Sequence, residues 1–380
     1  GDSALMAVVS GILSGLRANT SKEFTEVTWA AASASGQITA TAVTAGKPFF
    51  MTVGVSPASG FAGLSGATAA NNSGYIPNLS PSDVSDGTNW ETSGLPLSGD
   101  ALYLDGRVKV PLKWGLRALS GTPYLAIEIP ALYGGADAQV GLQELDEDNE
   151  YPQYRDRYWG VAAPVLNIGK GVGQGIRLCK IDEAASGLEV NVFRTGTPRE
   201  TNRAAVTIRR FNEASGRINV YGGTVELSPL ADESGRVVLM NVAAGTVRMG
   251  FGCDFASGTI NNQGGALTIN GRVNTLNHRA GNGTVDGSGS ILALNIQGGT
   301  LTDRGTGPIG TVTVTTPARL DLGDAGPALT ISGAVTMNAN TSLLDRGFRG
   351  TYASGIILQG TSIRNVTLDF GQAGRTLKPT

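Results

Sequence analysis

The sequence predicts a mostly β protein: a single-chain β-solenoid (β-helix) preceded by a small α+β unit and an irregular β cap region. Short alternating apolar segments interrupted by glycine, such as INVYGGTVEL, TINNQGGALTI and LALNIQGGTLT, recur from about Arg217 to the C-terminus. Their turn residues follow one another at intervals of 16 to 22 residues, which is close to the length of one solenoid coil. Glycine is abundant, at 55 of 380 residues, and only 16% of residues are charged, which favours β structure over helices. The turn residues are Gly223, Gly245, Gly265, Gly283, Gly299, Pro317 and Gly333.

Residues 1–56 are predicted to form the α+β unit. A helix over residues 3–18 would place Leu5, Val8, Val9, Ile12 and Leu16 on one face at the helical period. Three strand-like segments follow it: FTEVTWAA, QITATAV and PFFMTVGV. A helix beside a short antiparallel sheet is therefore expected.

The rest of the chain divides into three parts. Residues 57–89, rich in Ser, Gly, Asn and Pro, are predicted to be a linker. Residues 90–160 form an irregular β region that we expect to cap the solenoid and supply its first coils. Residues 161–380 form the solenoid, with SIRNVTLDFGQAG as a candidate C-terminal cap. Its predicted interior consists of Val225, Leu227, Leu267, Ile269, Leu294, Ile296, Val312, Val314, Leu329 and Ile331.

Several functional classes find little support in the composition. The formal net charge of −2, without a basic stripe, argues against a nucleic-acid partner. No apolar run approaches the roughly 18 residues of a membrane-spanning helix, so no membrane insertion is predicted. Cys179 and Cys253 are too few for a disulfide framework and are predicted to be buried apolar residues. The glycine string GKGVGQG at 169–175 lacks the spacing of a phosphate loop and is followed by a strand, so it is predicted to be a turn.

Candidate catalytic residues are few, and no cofactor or metal is predicted. His278 is the only histidine, and its place in a repeat unit predicts a surface turn residue. Asp286, Asp303 and Asp321 occupy similar places in consecutive units. They are predicted to form a solvent-facing row; a catalytic carboxylate pair and a calcium site are the alternatives.

A segment of aromatic and charged residues is the candidate ligand-contact surface. It comprises Tyr151, Tyr154, Arg155, Arg157, Tyr158 and Trp159, next to the acidic residues of 144–150. Aromatic planes flanked by arginine suit contacts with sugars or proteins. The alternative is that the aromatic rings fill the first coil and the acids solvate a loop.

Three stretches carry a family resemblance. ITATAVTAGKPFFMTV, NWETSGLPLSGDALYLDG and EYPQYRDRYWGVAAPVLNIGKGVGQGIRL resemble phage tail-fibre or tail-spike β-solenoid proteins. The spacing of Trp90, Pro96, Gly99, Asp100 and Leu102 is similar to the start of autotransporter-type β-helix adhesins. The resemblance implies a virion, extracellular or cell-surface protein without an assigned active site, so no functional residue is carried over.

The expected function is that of a non-enzymatic structural and receptor-binding component of a phage tail fibre or similar appendage. A rigid shaft would display binding loops toward a host-surface glycan or other appendage proteins. Fibre proteins usually close their ends by self-association, so a homo-oligomer, namely a trimer, is expected. The alternatives are a tail-spike-type polysaccharide-degrading enzyme and a bacterial cell-surface adhesin.

Overall fold

A computed structural model describes most of the solenoid and part of the N-terminal region. The described residues are 2–20, 22–25, 27–32, 37–43, 82–84, 90, 94–104, 112–113, 124–133, 139–143, 155–156, 158–183, 187–199, 201–211, 216–315, 317–359 and 365–371. The predicted third strand of the N-terminal unit and most of the predicted linker lie outside these residues.

The N-terminal unit contains two helices and a β-hairpin. α1 spans Asp2–Ala18, α2 spans Lys22–Thr25, and β1 (Val27–Ala32) pairs antiparallel with β2 (Gln37–Ala42). The guanidinium of Arg17 donates to the carbonyl oxygen of Trp29 at 2.8 Å, which ties the end of α1 to β1. The predicted helix and the second predicted strand are thus confirmed. The first strand begins at Val27, because Phe24 and Thr25 belong to α2.

The buried face of α1 differs from the predicted one. Val9 and Leu13 are buried against the hairpin, and Leu16 packs beside them. Val8 and Ile12, predicted to share a face with Val9 and Leu16, are 54% and 45% exposed. A two-stranded sheet covers only one narrow stripe of a helix, and that stripe runs through positions 9, 13 and 16.

The remaining described chain is built from short strands. They are β3 (Ser82–Asp83), β4 (Ala101–Tyr103), β5 (Leu112–Lys113), β6 (Ala126–Pro130), β7 (Gln139–Gln143), β8 (Arg155–Asp156), β9 (Trp159–Val161), β10 (Val165–Lys170), β11 (Leu178–Glu183), β12 (Glu189–Val192), β13 (Val206–Arg210), β14 (Arg217–Val220), β15 (Thr224–Leu227), β16 (Leu239–Val242), β17 (Thr246–Met249), β18 (Asp254–Asn262), β19 (Ala266–Ile269), β20 (Arg272–His278), β21 (Asn282–Val285), β22 (Ser290–Ile296), β23 (Gly299–Asp303), β24 (Ile309–Val314), β25 (Ala318–Asp321), β26 (Leu329–Ile331), β27 (Val335–Met337), β28 (Thr341–Leu344), β29 (Gly350–Tyr352), β30 (Ile356–Leu358) and β31 (Thr367–Asp369).

These strands alternate between two parallel sheets. The first sheet stacks β4, β6, β10, β12, β14, β16, β18, β20, β22, β24, β26 and β29, with β27 and β30 alongside. The second sheet stacks β3, β5, β7, β11, β13, β15, β17, β19, β21, β23, β25, β28 and β31, with β8 and β9 alongside. From β10 to β26, consecutive strands belong to different sheets while sheet neighbours lie one coil apart. The chain is therefore a β-solenoid of about 10 turns. The strands of residues 90–160 belong to the same two sheets.

One continuous core fills the solenoid from Val84 to Leu343. Inward side chains stack in register, as in the series Met240, Ile260, Leu276, Leu294 and Val312 of the first sheet. All ten residues predicted for the interior are at most 2% exposed, so that prediction is confirmed. Cys179 and Cys253 are free and buried, as predicted, and burial raises the pKa of each thiol to about 12.

An asparagine ladder runs along the outward face of the first sheet. In each step, the Nδ2 of one asparagine donates to the Oδ1 of the asparagine one coil earlier, at 2.8 to 3.0 Å. The ladder ends where Asn167 Nδ2 donates to Glu128 Oε1 at 3.2 Å. Its members are Asn167, Asn191, Asn219, Asn241, Asn261, Asn277 and Asn295. Stacked amides of this kind reinforce the hydrogen bonds of a parallel sheet.

Among the described helices, none combines the length and the hydropathy that crossing a membrane would require.

Candidate binding surface

The predicted aromatic segment is only partly described. Tyr151, Tyr154 and Arg157 lie outside the described residues, and Arg155 lies in β8, antiparallel to β7. Tyr158 is half-buried, and Trp159 begins β9. The structure therefore tests only the C-terminal end of this predicted surface.

Trp159 is a core residue. Its side chain is 0% exposed, and Val161, two positions further along the same strand, is also buried. Side chains alternate between the two faces of a strand, so the inward position of Val161 requires Trp159 to point inward as well. Its predicted role in contacting a ligand at the surface was wrong; this aromatic ring fills the coil, as the alternative had it.

Tyr158 is held against the second sheet by a charged pair. The Arg209 guanidinium carbon lies 4.5 Å from the centre of the Tyr158 ring, which is a cation–π contact. Arg209 also donates to both carboxylate oxygens of Asp182, with Nε to Oδ1 at 3.0 Å. Burial, followed by the nearby Glu233 carboxylate, raises the pKa of Tyr158 to about 12. The cluster anchors the chain at Tyr158 to the second sheet.

The three predicted carboxylates do not form a row. The register pairs Asp303 with Val285 and Asp321 with Thr302, so neither acid lies beside the previous one. A displacement of one residue along a strand moves a side chain to the opposite face. Asp303 consequently points inward and is 0% exposed, whereas Asp321 accepts a hydrogen bond from Arg319 at 2.6 Å. The predicted solvent-facing row was wrong, because Asp303 faces the core.

Asp303 belongs to a buried polar network near the last coils. Its Oδ1 accepts a hydrogen bond from the Gly305 amide at 2.8 Å, and burial raises its pKa to about 6. Arg349, two coils later, is 3% exposed. Its guanidinium donates to four backbone carbonyl oxygens, those of Asp303, Gly305, Leu322 and Pro327. The network thus joins three successive coils.

His278 is also inside the solenoid, so its predicted place at a surface turn was wrong. It is 0% exposed and lies in register between Asn262 and Ile296 on the inward face of the first sheet. Asn262 Oδ1 accepts from the Gly265 amide at 3.0 Å, which leaves Asn262 Nδ2 to donate to His278 Nδ1 at 3.1 Å. The neutral imidazole therefore carries its proton on Nε2. Burial lowers the pKa of His278.

One corner of the solenoid presents an aromatic stack. The rings of Phe193 and Tyr221 lie 5.0 Å apart and within 12° of parallel. They follow β12 and β14 at equivalent positions in consecutive coils, and Ala243 holds that position in the next coil. Tyr221 is 49% exposed. Because Ala243 has only a methyl group, the stack ends at Tyr221 with an aromatic ring open to solvent.

A small cationic cleft lies across the same corner. It has a volume of about 30 Å³, and Arg203, Arg248, Thr224 and Thr246 contribute to its walls. The guanidinium of Arg203 is 3.6 Å from the carboxylate of Glu226. Arg248 Nη1 donates to the carbonyl oxygen of Asn202 at 2.9 Å. With two arginines and one glutamate, the cleft carries an excess of positive charge. The sequence signal for this site was weak, since the five residues come from three separate coils. We call Tyr221 together with this cleft the corner site.

In the described part of the chain, His, Cys, Asp and Glu side chains form no group of three or more that could hold a metal ion. No family model matches the sequence, and neither the curated proteins nor the solved structures contain a similar chain.

Proposed function

We propose that this chain is a structural and receptor-binding shaft of a virion or extracellular appendage, such as a phage tail fibre. The single observation that carries the proposal is the uninterrupted stack of coils. Its core is continuous from Val84 to Leu343, and each coil is hydrogen-bonded to its neighbours in both sheets. Such a stack resists bending, because the described strands of neighbouring coils are hydrogen-bonded to one another and share one core.

The outward surface supports the same proposal. The asparagine ladder adds side-chain hydrogen bonds between seven successive positions on one flank. The corner site offers an exposed aromatic ring and a cationic cleft on the side of the shaft, where a receptor would be reached without opening the core. The receptor-binding part of the proposal rests on this site.

The polysaccharide-degrading alternative was based on a row of three carboxylates. Asp286, Asp303 and Asp321 occupy non-equivalent positions, and Asp303 faces the core. The non-enzymatic proposal is favoured by this placement. Replacing all three with Asn should leave any glycan cleavage by the purified chain unchanged; a loss of cleavage would restore the enzyme alternative.

The shaft can be tested by its dimensions and its mass. About 10 turns spaced by about 4.8 Å predict a rod of about 48 Å for the solenoid. Electron microscopy or small-angle scattering of the purified chain should show a rod of that length in each subunit. Light scattering should show the mass of a trimer at micromolar concentration. A flexible, bead-like particle would contradict the shaft, and a monodisperse monomer would contradict the self-association.

A further inference from the structure

We infer that the corner site binds an acidic oligosaccharide, with a sugar ring stacked on Tyr221 and a sugar carboxylate in the arginine cleft. The inference rests on the proposed function, because it names the class of receptor that this surface would recognise. It depends on three features of the corner: an open ring, a short path and a cationic end.

The open ring is Tyr221. Phe193 stacks on one of its faces at 5.0 Å and fixes its orientation. The other face has only Ala243 as its neighbour in the next coil, and the side chain is 49% exposed. A fixed aromatic plane open to solvent suits the apolar face of a sugar ring, whose hydroxyl groups remain at the edge.

The path from this ring to the cleft is short. Tyr221 and Thr224 are separated by Gly222 and Gly223, and their Cα atoms can be at most about 11 Å apart. Gly223 has a φ of 83°, a conformation that favours glycine, and a Cβ there would lie 2.7 Å from the Thr195 amide nitrogen. The turn therefore requires glycine at this position, and it holds Tyr221 close to the cleft residue Thr224.

The cationic end selects the charge of the ligand. Arg203 precedes β13 and Arg248 lies in β17, and both line the cleft together with Thr224 and Thr246. Guanidinium groups bind carboxylates through paired, charge-assisted hydrogen bonds. Glu226 lies 3.6 Å from Arg203 and is next to Arg248 in the register, so it competes with an incoming carboxylate. The site thus has a built-in competitor whose removal should increase affinity.

Two matched disaccharides test the inference. Digalacturonate and α-1,4-galactobiose differ only in carrying a carboxylate or a hydroxymethyl group on each ring. Calorimetry with the full chain should show tighter binding of digalacturonate, by about tenfold or more, because hydrogen bonds to a charged group are the strong ones. Equal affinities, or no binding of digalacturonate, would overturn the inference.

Four variants show which side chains contribute to binding of the two sugars. Tyr221→Ala should weaken the binding of both sugars, Arg248→Gln should weaken only digalacturonate by about tenfold, and Glu226→Gln should strengthen digalacturonate. Arg279→Gln is the matched control, since Arg279 is exposed in the same corner row three coils beyond Tyr221. An equal loss in Arg279→Gln would show unspecific charge attraction and overturn the inference. All four positions are exposed or half-buried, so each variant should fold. Circular dichroism checks this.

The proposal that the chain is a shaft is tested by different measurements. If the rod and trimer are found but digalacturonate is not preferred, only the acidic ligand is wrong. If the particle is not a rod, the shaft is wrong whatever the sugar affinities are.

Discussion

The imidazole of His278 occupies space that Gly283 leaves empty. Gly283 lies on the inward face of the second sheet, in register between Leu267 and Leu301. A Cβ placed on Gly283 would lie 3.3 Å from Cε1 of His278 and 2.4 Å from Cδ1 of Leu301. A large polar side chain in one sheet is therefore matched by a missing side chain in the other.

This relationship predicts energetic coupling between the two positions. His278→Ala should lower the free energy of unfolding by about 2–4 kcal/mol through the cavity it leaves. Gly283→Leu should lower it by about 1–3 kcal/mol through overpacking. The double variant should lose less unfolding free energy than the two single losses added together, by about 1 kcal/mol or more. Urea unfolding followed by circular dichroism measures all three variants.

The control pairs Gly283→Leu with Leu329→Ala, a core residue several coils away. Those two losses should add within about 0.5 kcal/mol. Strict additivity of His278→Ala and Gly283→Leu would contradict the shared volume.

Asp303 predicts a stability that falls as pH rises from about 4 to about 6. Its pKa in the folded chain is raised from 3.8 to about 6, so the unfolded chain releases this proton first. The folded state then binds more protons than the unfolded state, and the free energy of unfolding decreases through this window, by about 3 kcal/mol at most.

Asp303→Asn should remove this decrease of the unfolding free energy with rising pH, while keeping an acceptor for the Gly305 amide. The test is urea unfolding at pH 4.5, 6 and 7.5, with Asp321→Asn as a control outside the core. His278 contributes to the pH dependence of the wild-type protein in the opposite direction, because its lowered pKa reduces the free energy of unfolding as pH falls. The difference between Asp303→Asn and wild type isolates the carboxylate, and a difference independent of pH would contradict the prediction.

Arg349 is predicted to be the costliest arginine to replace. Arg349→Met keeps the length of the side chain but removes the donors to four carbonyl oxygens in earlier coils. Each buried polar group left without a partner costs about 1–3 kcal/mol, so the loss of unfolding free energy should exceed about 3 kcal/mol.

Arg346→Met is the matched control for that substitution. Arg346 pairs with Asp369 at the protein surface, and little change is expected. Thermal unfolding of both variants compares them directly; equal midpoints would contradict a special role for Arg349.

The asparagine ladder predicts a modest cost that depends on position. Asn241→Ala removes two hydrogen bonds, the one to Asn219 and the one from Asn261, and should cost about 1–2 kcal/mol. Asn295→Ala removes the bond to Asn277 at the end of the ladder and should cost about half as much. Denaturant unfolding measures both, and equal losses would show that the amides do not act as a ladder.

The core of the solenoid was predictable because two independent signals agree in it. Alternation places Val225 and Leu227 on one face, and the turn at Gly223 fixes where that alternation begins. The asparagine ladder also had a signal, since Asn219, Asn241 and Asn261 each stand four residues before the turn glycine of their coil.

The polar interior could not be predicted with the same means. Whether Asp303 or His278 points inward depends on a shift of one residue, and coils of 16 to 22 residues vary their turns by more than that. The partner of Tyr158 is Arg209, about fifty positions along the chain, and no local pattern connects them. Trp159 could have been placed from its alternation with Val161.

The uniform direction of the amide column also governs how this protein can change in length. Each amide accepts from the following coil and donates to the preceding one, so a duplicated whole coil would join the column without reversing any dipole. Insertions of complete coils would lengthen the molecule in increments of about 4.8 Å, whereas a partial coil would turn apolar residues outward. The length of the solenoid can therefore change only in steps of one coil.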